Sequence, residues 1–577
     1  MAYIGIDFGT SNSVVADFRF GKPIVLPDPE GRLATPSVVS LRRDGSIAIG
    51  QEAKEIYDER RSIRSIKRAL GTAERLTLAG QDVRPEQVAV MLFSMLKRSA
   101  EAALKQPVQK AVITIPANSK GLARHATKLC AGAAGFQVLT LINEPTAAAI
   151  CYGLNSRYDQ RVLVYDFGGG TLDVTVLRVH HGIFEEIGSK GIGRLGGDDA
   201  DQLLAELIAE RFRRKTGYDI LGSPYRTSFL LAVERAKIDL SFAPTALARR
   251  PMLVPERKLS LEEPVSREEY EDLIKPLVER TGDAVSEALE RAATPGRKIE
   301  RVLLVGGMSK TPYVREYVRK LIGPEPEPFD KADPLTCVAQ GAAIVSAILQ
   351  SAPGLEHHAY SVKLEHSLCA CPIDENGDEF LDPIIRRGSD IPCSVSKTYY
   401  PVADPAERVV VSVYEGDTYK NPNDAENIKL AEIPWTYDPP RPQGDAGIEV
   451  TYSYGDDGIL TVVIVDTFGG RRERFAIEQG TPDSVTPKMY QKMAKINEKL
   501  LERTEKVESA DVYRASLDLL RRAEHIVIPK IEVEADRLSV EEVCRALRQA
   551  LGTGDLARAD QINTTLADRL LDFAHLL

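Results

Sequence analysis

The sequence predicts a multidomain protein: a duplicated α/β module, then a β-rich module, then a helical tail. Three observations carry this. Ile4-Gly5-Ile6-Asp7-Phe8-Gly9-Thr10-Ser11-Asn12 returns 159 positions later as Val164-Tyr165-Asp166-Phe167-Gly168-Gly169-Gly170-Thr171. Short apolar runs alternate with amphipathic helical stretches up to residue 350, the pattern of a partly parallel sheet flanked by helices. Past that point the pattern changes twice, to strands and turns over 362–480 and to helix over 481–577.

Each copy of the repeat is an apolar run, an Asp, an aromatic, glycines and a hydroxyl, followed by a second run (Val14-Val15-Ala16; Val174-Thr175-Val176). That is a hairpin whose tip is stripped of side chains, so backbone N–H groups can close on phosphate oxygens. Two such hairpins imply two related half-domains facing each other across a cleft. Strands are predicted at 111–115, 138–142, 162–166 and 302–305, and helices at 86–105, 119–133, 198–215, 268–293 and 336–350. Residues 351–361 break the pattern and read as a linker between the module at 1–350 and the β module. In the β module Val409–Val413, Ile448–Tyr454 and Ile459–Asp466 are strand-like, the last two joined across Gly455-Asp456-Asp457-Gly458. A Pro-rich piece, 434–442, holds the single tryptophan, Trp435. The tail is interrupted at Pro529, and Gly552-Thr553-Gly554 separates its last two helices.

Bulk properties exclude several function classes. The 74 basic and 84 acidic side chains leave a net charge of −10, which argues against a nucleic-acid or anionic-membrane surface as the main partner. The N-terminus enters a strand at once, without a basic and apolar leader. The longest apolar stretch, near Ala342–Leu349, falls far short of the ~20 residues that span a bilayer. Seven scattered cysteines suit a reducing cytoplasm.

The repeat also carries chemistry. Asp7 and Asp166 end buried strands, where an unpaired carboxylate is costly, and a cation is the usual compensation; carboxylates beside phosphates suit Mg²⁺ that keeps several waters. Thr10, Ser11 and Thr171 can donate to phosphate oxygens, and Asp173 shares a strand face with Thr171, where it can hold the metal's water shell. An anionic, metal-bearing ligand such as Mg-ATP fits between the tips. A third glycine turn, Gly306-Gly307-Met308-Ser309-Lys310-Thr311-Pro312, opens a helix whose amides can receive phosphate or ribose. Glu234, Lys237 and Ser241 share one helix face and can bind ribose and adenine, although alone such a face reads as solvated charge. Glu144, at a helix start before Pro145, can position water or metal. Lys67 alone reads as a surface lysine.

Taken together, Asp7–Asn12, Ile66-Lys67-Arg68, Ile113–Ala117, Ile142–Ala149, Asp166–Thr171, Leu195–Asp199, Glu234–Ser241 and Val305–Pro312 resemble, in order, the motifs of the seventy-kilodalton heat-shock chaperones, the DnaK-type proteins. The likeness covers residues 1–350, is weaker over 362–480 and is architectural in the tail. It implies an actin-like ATPase of two lobes joined to a peptide-binding β-sandwich and an α-helical lid. It further implies that Lys67 is the catalytic lysine that orients the attacking water. Glu144, Asp7, Asp166 and Asp173 would surround Mg²⁺ and water, with Thr10 and Thr171 on phosphates. Gly9, Ser11, Asn12, Gly168, Gly169, Gly170, Gly196 and Gly197 would cradle the phosphate chain. Glu234, Lys237, Ser241, Gly306, Gly307, Ser309 and Lys310 would hold the nucleoside. Pro116 and Arg124 match residues that relay nucleotide state, and the implied partners are extended polypeptides, a J-domain co-chaperone and a nucleotide-exchange factor.

Departures from the family pattern bear on coupling more than on fold. The linker keeps only Tyr360 and Val362 as apolar anchors, and segment 71–85 is short for the outer lobe. Lys310 replaces a stacking arginine, keeping charge but losing a planar surface. Asp333-Pro334-Leu335-Thr336 carries two carboxylates fewer than the family's version. Small residues, Ser367-Leu368-Cys369-Ala370-Cys371-Pro372, stand where larger groove walls are usual, leaving Val402, Val409 and Val411 as groove candidates or sandwich core. His366, Cys369, Cys371 and Cys393 lack a standard zinc spacing and read better as buried thiols and a turn histidine. The competing functions are a regulatory or exchange-factor scaffold without client cycling, and a small-molecule kinase of the same fold.

Overall fold

The computed structural model describes residues 2–573 apart from 43–45, 59, 73, 118, 120, 154–159, 181–182, 293–297, 324–332, 356–361, 365, 375, 425–426, 456–459, 478–494, 496–510, 532 and 554. The repeat in the sequence becomes a repeat in space. In the first lobe β1 (Ile4–Asp7) runs antiparallel to β2 (Asn12–Arg19), which pairs with β3 (Lys22–Leu26). A helix α1 (Gln51–Glu55) and a longer one, α2 (Pro85–Leu104), precede β4 (Lys110–Ile115), which lies parallel to β1. After α3 (Gly121–Ala133), β5 (Gln137–Asn143) adds a further parallel strand and runs straight into α4 (Glu144–Cys151).

The second lobe repeats the plan. β6 (Gln160–Phe167) and β7 (Leu172–His180) form the hairpin, and β8 (Ile183–Ile192) extends it. Helices α5 (Gly197–Thr216) and α6 (Arg226–Leu240) follow, then the hairpin β9 (Thr245–Val254) and β10 (Leu259–Ser266). The stretch expected as one helix over 268–293 is two, α7 (Arg267–Glu279) and α8 (Thr281–Arg291); at the break the Thr281 hydroxyl donates to the Val278 carbonyl. β11 (Arg301–Val305) then lies parallel to β6 as β4 lies parallel to β1, before α9 (Pro312–Ile322) and α10 (Cys337–Leu349).

Helices α4 and α10 pack between the two sheets, in one apolar cluster that takes Val112 and Ile142 from the first lobe and Val162, Val164 and Leu303 from the second. Close approach depends on missing side chains. A Cβ on Gly341 would strike the Ala147 carbonyl, and one on Gly5 would strike the backbone of α10 at Ala339 and Ala343.

The β module is two stacked four-stranded sheets. The first has the order β13 (Asp382–Ile385), β12 (Leu368–Ala370), β15 (Ala406–Glu415), β16 (Ile428–Arg441). The second is β14 (Cys393–Tyr399), β17 (Ile448–Tyr454), β18 (Leu460–Asp466), β19 (Arg472–Ile477). Inward residues of both sheets share one core around Trp435, Tyr452, Val413 and Val462. Pro434, Pro439 and Pro440 of the Pro-rich piece sit on β16, an edge strand, where a missing N–H breaks no interior ladder. After the linker, of which 356–361 and so Tyr360 lie outside the described residues, Val362–Lys363 pairs with Asp390–Ile391.

Helices α11 (Asp511–Arg522), α12 (Glu534–Gly552) and α13 (Leu556–Leu571) form a bundle with its own core, including Leu520, Val540, Leu547, Leu551 and Leu566. Pro529 falls in a short 3₁₀ turn between α11 and α12. Among the described residues no helix is long and apolar enough to cross a membrane.

Candidate functional site

The tips of the two hairpins meet. Gly169 lies so close to the Ser11 hydroxyl that a methyl group there has no room, and Gly170 is covered in the same way by the Arg68 guanidinium, which donates to the Gly170 carbonyl. Gly9 is crowded instead by its own turn, against the Asn12 carbonyl. Gly9 and Gly169 are required by space rather than by a positive φ, the region in which Gly306 does sit (φ 85°). A side chain on Gly306 would strike the Phe167 carbonyl and lie 2.7 Å from an Asp166 carboxylate oxygen, so the third glycine turn closes directly on the second tip.

Each tip is pinned from behind. For the first, the Ser37 N–H donates to the Ser11 carbonyl (2.9 Å) and the Ser37 hydroxyl to the Gly9 carbonyl (2.8 Å). For the second, the N–H groups of Leu195, Gly197 and Asp198 donate to the carbonyls of Gly170, Gly168 and Gly169. The sequence motif Leu195–Asp199 thus serves as the clamp of the second tip. Ser37 was missed: a lone serine between two short strands carries no pattern that sequence reading detects.

Beneath the tips lies a buried cluster of charge. Asp7 ends β1 and accepts from the Thr114 hydroxyl at 3.1 Å. Asp166 stands directly across the ladder from Asp173. Glu144 opens α4, and its carboxylate forms an ion pair with Lys67, both side chains being about nine-tenths buried. Lys67 lies in a short 3₁₀ turn entered through Ser65 at φ 59°, left-handed backbone uncommon for serine. Burial, reinforced by Glu144, pushes the Asp7 carboxyl up to about 7 against the pull of Lys67 and Thr114. Burial and the neighbouring carboxylates of Glu144, Asp173 and Asp7 raise Asp166 well above the usual range. Burial disfavours the Lys67 ammonium, yet Glu144 and Asp7 overcome it and hold its pKa above the usual lysine value. One ammonium against four carboxylates leaves a surplus of negative charge, which a divalent cation fits. Among the described residues no group of three or more His, Cys, Asp or Glu stands ready to hold a metal ion.

The proposed nucleoside residues are brought to the same side. On α6, Glu234 pairs with Lys54 of the first lobe at 2.6 Å, and Lys237 donates to the Gly197 carbonyl (3.0 Å) and to Asp201 (2.7 Å). Asp201, which the sequence did not single out, is lifted to about 6 by burial despite Lys237. Ser241 caps the end of α6. The Ser309 side chain is buried and donates to the Val305 carbonyl, and Lys310 pairs with Asp333 at 2.8 Å.

Arg124 of α3 reaches Asn143 (3.4 Å), the residue before Glu144, and Pro116 follows the end of β4. The three groove candidates do not assemble into one feature: Val411 belongs to the sandwich core, Val409 packs against it, and Val402 is 73% exposed. Cys369 is buried and donates to the Gly416 carbonyl, while His366 pairs with Asp417 at 3.1 Å. All seven cysteines are free.

Comparison with known proteins finds relatives over almost the whole chain. The profile of the family described as Hsp70 protein matches residues 3–76 and 73–574. A chaperone protein DnaK of Thermosipho africanus is 34% identical over 568 residues, 96% of this chain and 93% of that protein. A chaperone protein DnaK of Thermotoga neapolitana is 34% identical over 573 residues, 97% of this chain and 94% of that protein. The corresponding protein of Thermotoga maritima is 34% identical over 576 residues, with coverage of 97% and 94%.

Proposed function

The chain belongs to the Hsp70 family, and from that premise we propose that the paired hairpin tips hold one Mg-ATP whose hydrolysis sets the affinity of the β module for extended polypeptide. The protein is an ATP-dependent molecular chaperone and an ATPase. The observation that carries the site assignment is the buried Lys67–Glu144 pair beneath two glycine tips that close on each other.

Lys67, fixed by Glu144, orients the water that attacks the γ-phosphorus; the bond to the bridging oxygen breaks and ADP leaves. The reaction demands placement and charge neutralisation more than covalent chemistry from the protein. Thr10, Ser11 and Thr171 donate to the phosphates, and the backbone of Gly168–Gly170 and Gly196–Gly197 lines them. Glu234, Lys237, Ser241 and the Gly306–Lys310 turn hold the nucleoside. Asp7, Asp166 and Asp173 would hold Mg²⁺ through its waters, and when bound the ion neutralises phosphate charge. Arg124 donates to Asn143, the residue before Glu144, which supports a role for it in relaying the state of the catalytic pair. The free, mostly buried thiols fit a reducing compartment such as the cytoplasm. A J-domain co-chaperone and an exchange factor are the partners the family suggests.

The test is the affinity of a labelled unfolded peptide for the full chain with ATP and with ADP. Weaker, faster-exchanging binding with ATP is expected. Equal affinity in both nucleotides would overturn coupled client binding, leaving a regulatory scaffold as the reading.

A further inference from the structure

The helical tail does more than fold on itself. One face of α12 supplies the bundle core through Val540, Cys544, Leu547 and Leu551. The other carries Arg545, Arg548 and Gly552 at i, i+3 and i+7, a single stripe, and this stripe lies on the two lobes. Towards the first lobe, Arg548 binds Glu30 at 2.8 Å, with Glu55 of α1 at 3.8 Å. Gly552 packs on Ile56 with no room for a β-carbon. From α11, the Tyr513 hydroxyl donates to Glu52 (3.2 Å) and the Arg521 guanidinium to the Pro29 carbonyl (2.8 Å). Towards the second lobe, Glu534 pairs with Arg249 at 3.1 Å and Arg545 donates to the Pro251 carbonyl at 2.8 Å, both on the β9–β10 hairpin.

These contacts fall on either side of one seam. Directly across it, Lys54 of α1 pairs with Glu234 of α6, and the Thr227 hydroxyl of α6 donates to the Tyr57 carbonyl at 2.9 Å. The β9–β10 hairpin in turn packs on α6. The bundle therefore lies across the same joint that Lys54 and Glu234 close, tying α1 to the element that supports the nucleoside residues.

We propose that the C-terminal helical bundle is a built-in latch over the nucleotide cleft: docked across both lobes it retards nucleotide release, and its undocking permits exchange. The inference rests on the nucleotide assignment above. Separation of the lobes at this seam must break the α12 contacts as well as the Lys54–Glu234 pair, so weakening α12 alone lowers the barrier to opening. The rate of exchange is then set within the chain itself.

The experiment measures release of fluorescent ADP from the full chain by stopped flow, for wild type, Gly552→Leu and Glu534→Arg. Glu534 is largely exposed, so its replacement leaves folding intact even where the leucine does not. Release at least tenfold faster in Gly552→Leu and several-fold faster in Glu534→Arg is expected, with the Arg249→Glu, Glu534→Arg double variant returning toward the wild-type rate. Wild-type rates in Glu534→Arg and in a folded Gly552→Leu would overturn the latch. Amide hydrogen exchange without nucleotide separates this from failure of the nucleotide assignment. A docked bundle predicts faster exchange over 51–57 and 226–240 in Glu534→Arg, whether or not ADP binds, and unchanged exchange there overturns the docking itself.

Discussion

The first and second hairpin tips share a sequence pattern but are built differently. The first is self-contained: Gly9 is crowded by Asn12 of its own turn, and Ser37 holds it from behind. The second is made by its neighbours: Gly169 is crowded by Ser11 and Gly170 by Arg68, both from the other lobe, while Leu195–Asp198 clamps its carbonyls. Their acids differ too. Asp7 has a hydroxyl donor in Thr114 and faces Val14 across the ladder, whereas Asp166 faces a second carboxylate, Asp173. The difference teaches that duplication supplied the frame and divergence divided the labour. One tip is completed within its own lobe, and the other by contacts from the opposite lobe.

The sharpest way to break this picture is at the residue that belongs to neither tip. Lys67→Ala should lower ATP turnover by about a hundredfold or more while ATP affinity stays within about threefold, as the role proposed for the lysine, on the water rather than on the nucleoside, requires. Single-turnover kinetics beside equilibrium binding checks both halves. Next, Gly169→Val should weaken ATP binding by roughly tenfold or more, since its side chain meets Ser11 of the other lobe. Gly168→Ala should change it by less than about twofold, since its nearest neighbour would lie 3.6 Å away, an ordinary contact. Equal effects of the two would remove the contact with Ser11 of the other lobe as the cause. Asp166→Asn should raise the Mg²⁺ concentration needed for half-maximal turnover by about tenfold, read from a magnesium titration; an unchanged requirement would remove Asp166 from the metal site. The smallest effect on chemistry belongs to the β module. Val411→Ala should cost its unfolding about 2 kcal/mol through a buried cavity and leave turnover alone, as thermal unfolding and an ATPase assay would show.

Much of the frame was legible in the sequence because the repeat, the alternation of strands and helices, and the glycine turns are all local patterns. The strands around 111–115 and 302–305 appear one residue longer at their starts, both parallel to the hairpin strands. The site was legible as motifs but not as contacts. Pairing of Lys67 with Glu144, 77 positions apart, depends on tertiary packing within the first lobe and leaves no trace in spacing. Ser37, Arg68 as a contact to Gly170, and Asp201 escaped for the same reason. Val409 and Val411 illustrate the opposite failing: alternation told which residues share a face but not whether that face is core or groove, and for Val411 the sheet opposite makes it core.

The most direct test of the whole account is calorimetric titration of the full chain with ATP in the presence of Mg²⁺. One site per chain, with binding weakened about tenfold or more by Gly169→Val and retained on Lys67→Ala, is the predicted result. No binding at millimolar ATP, or equal binding by both variants, would contradict the claim that the two tips close on a single nucleotide.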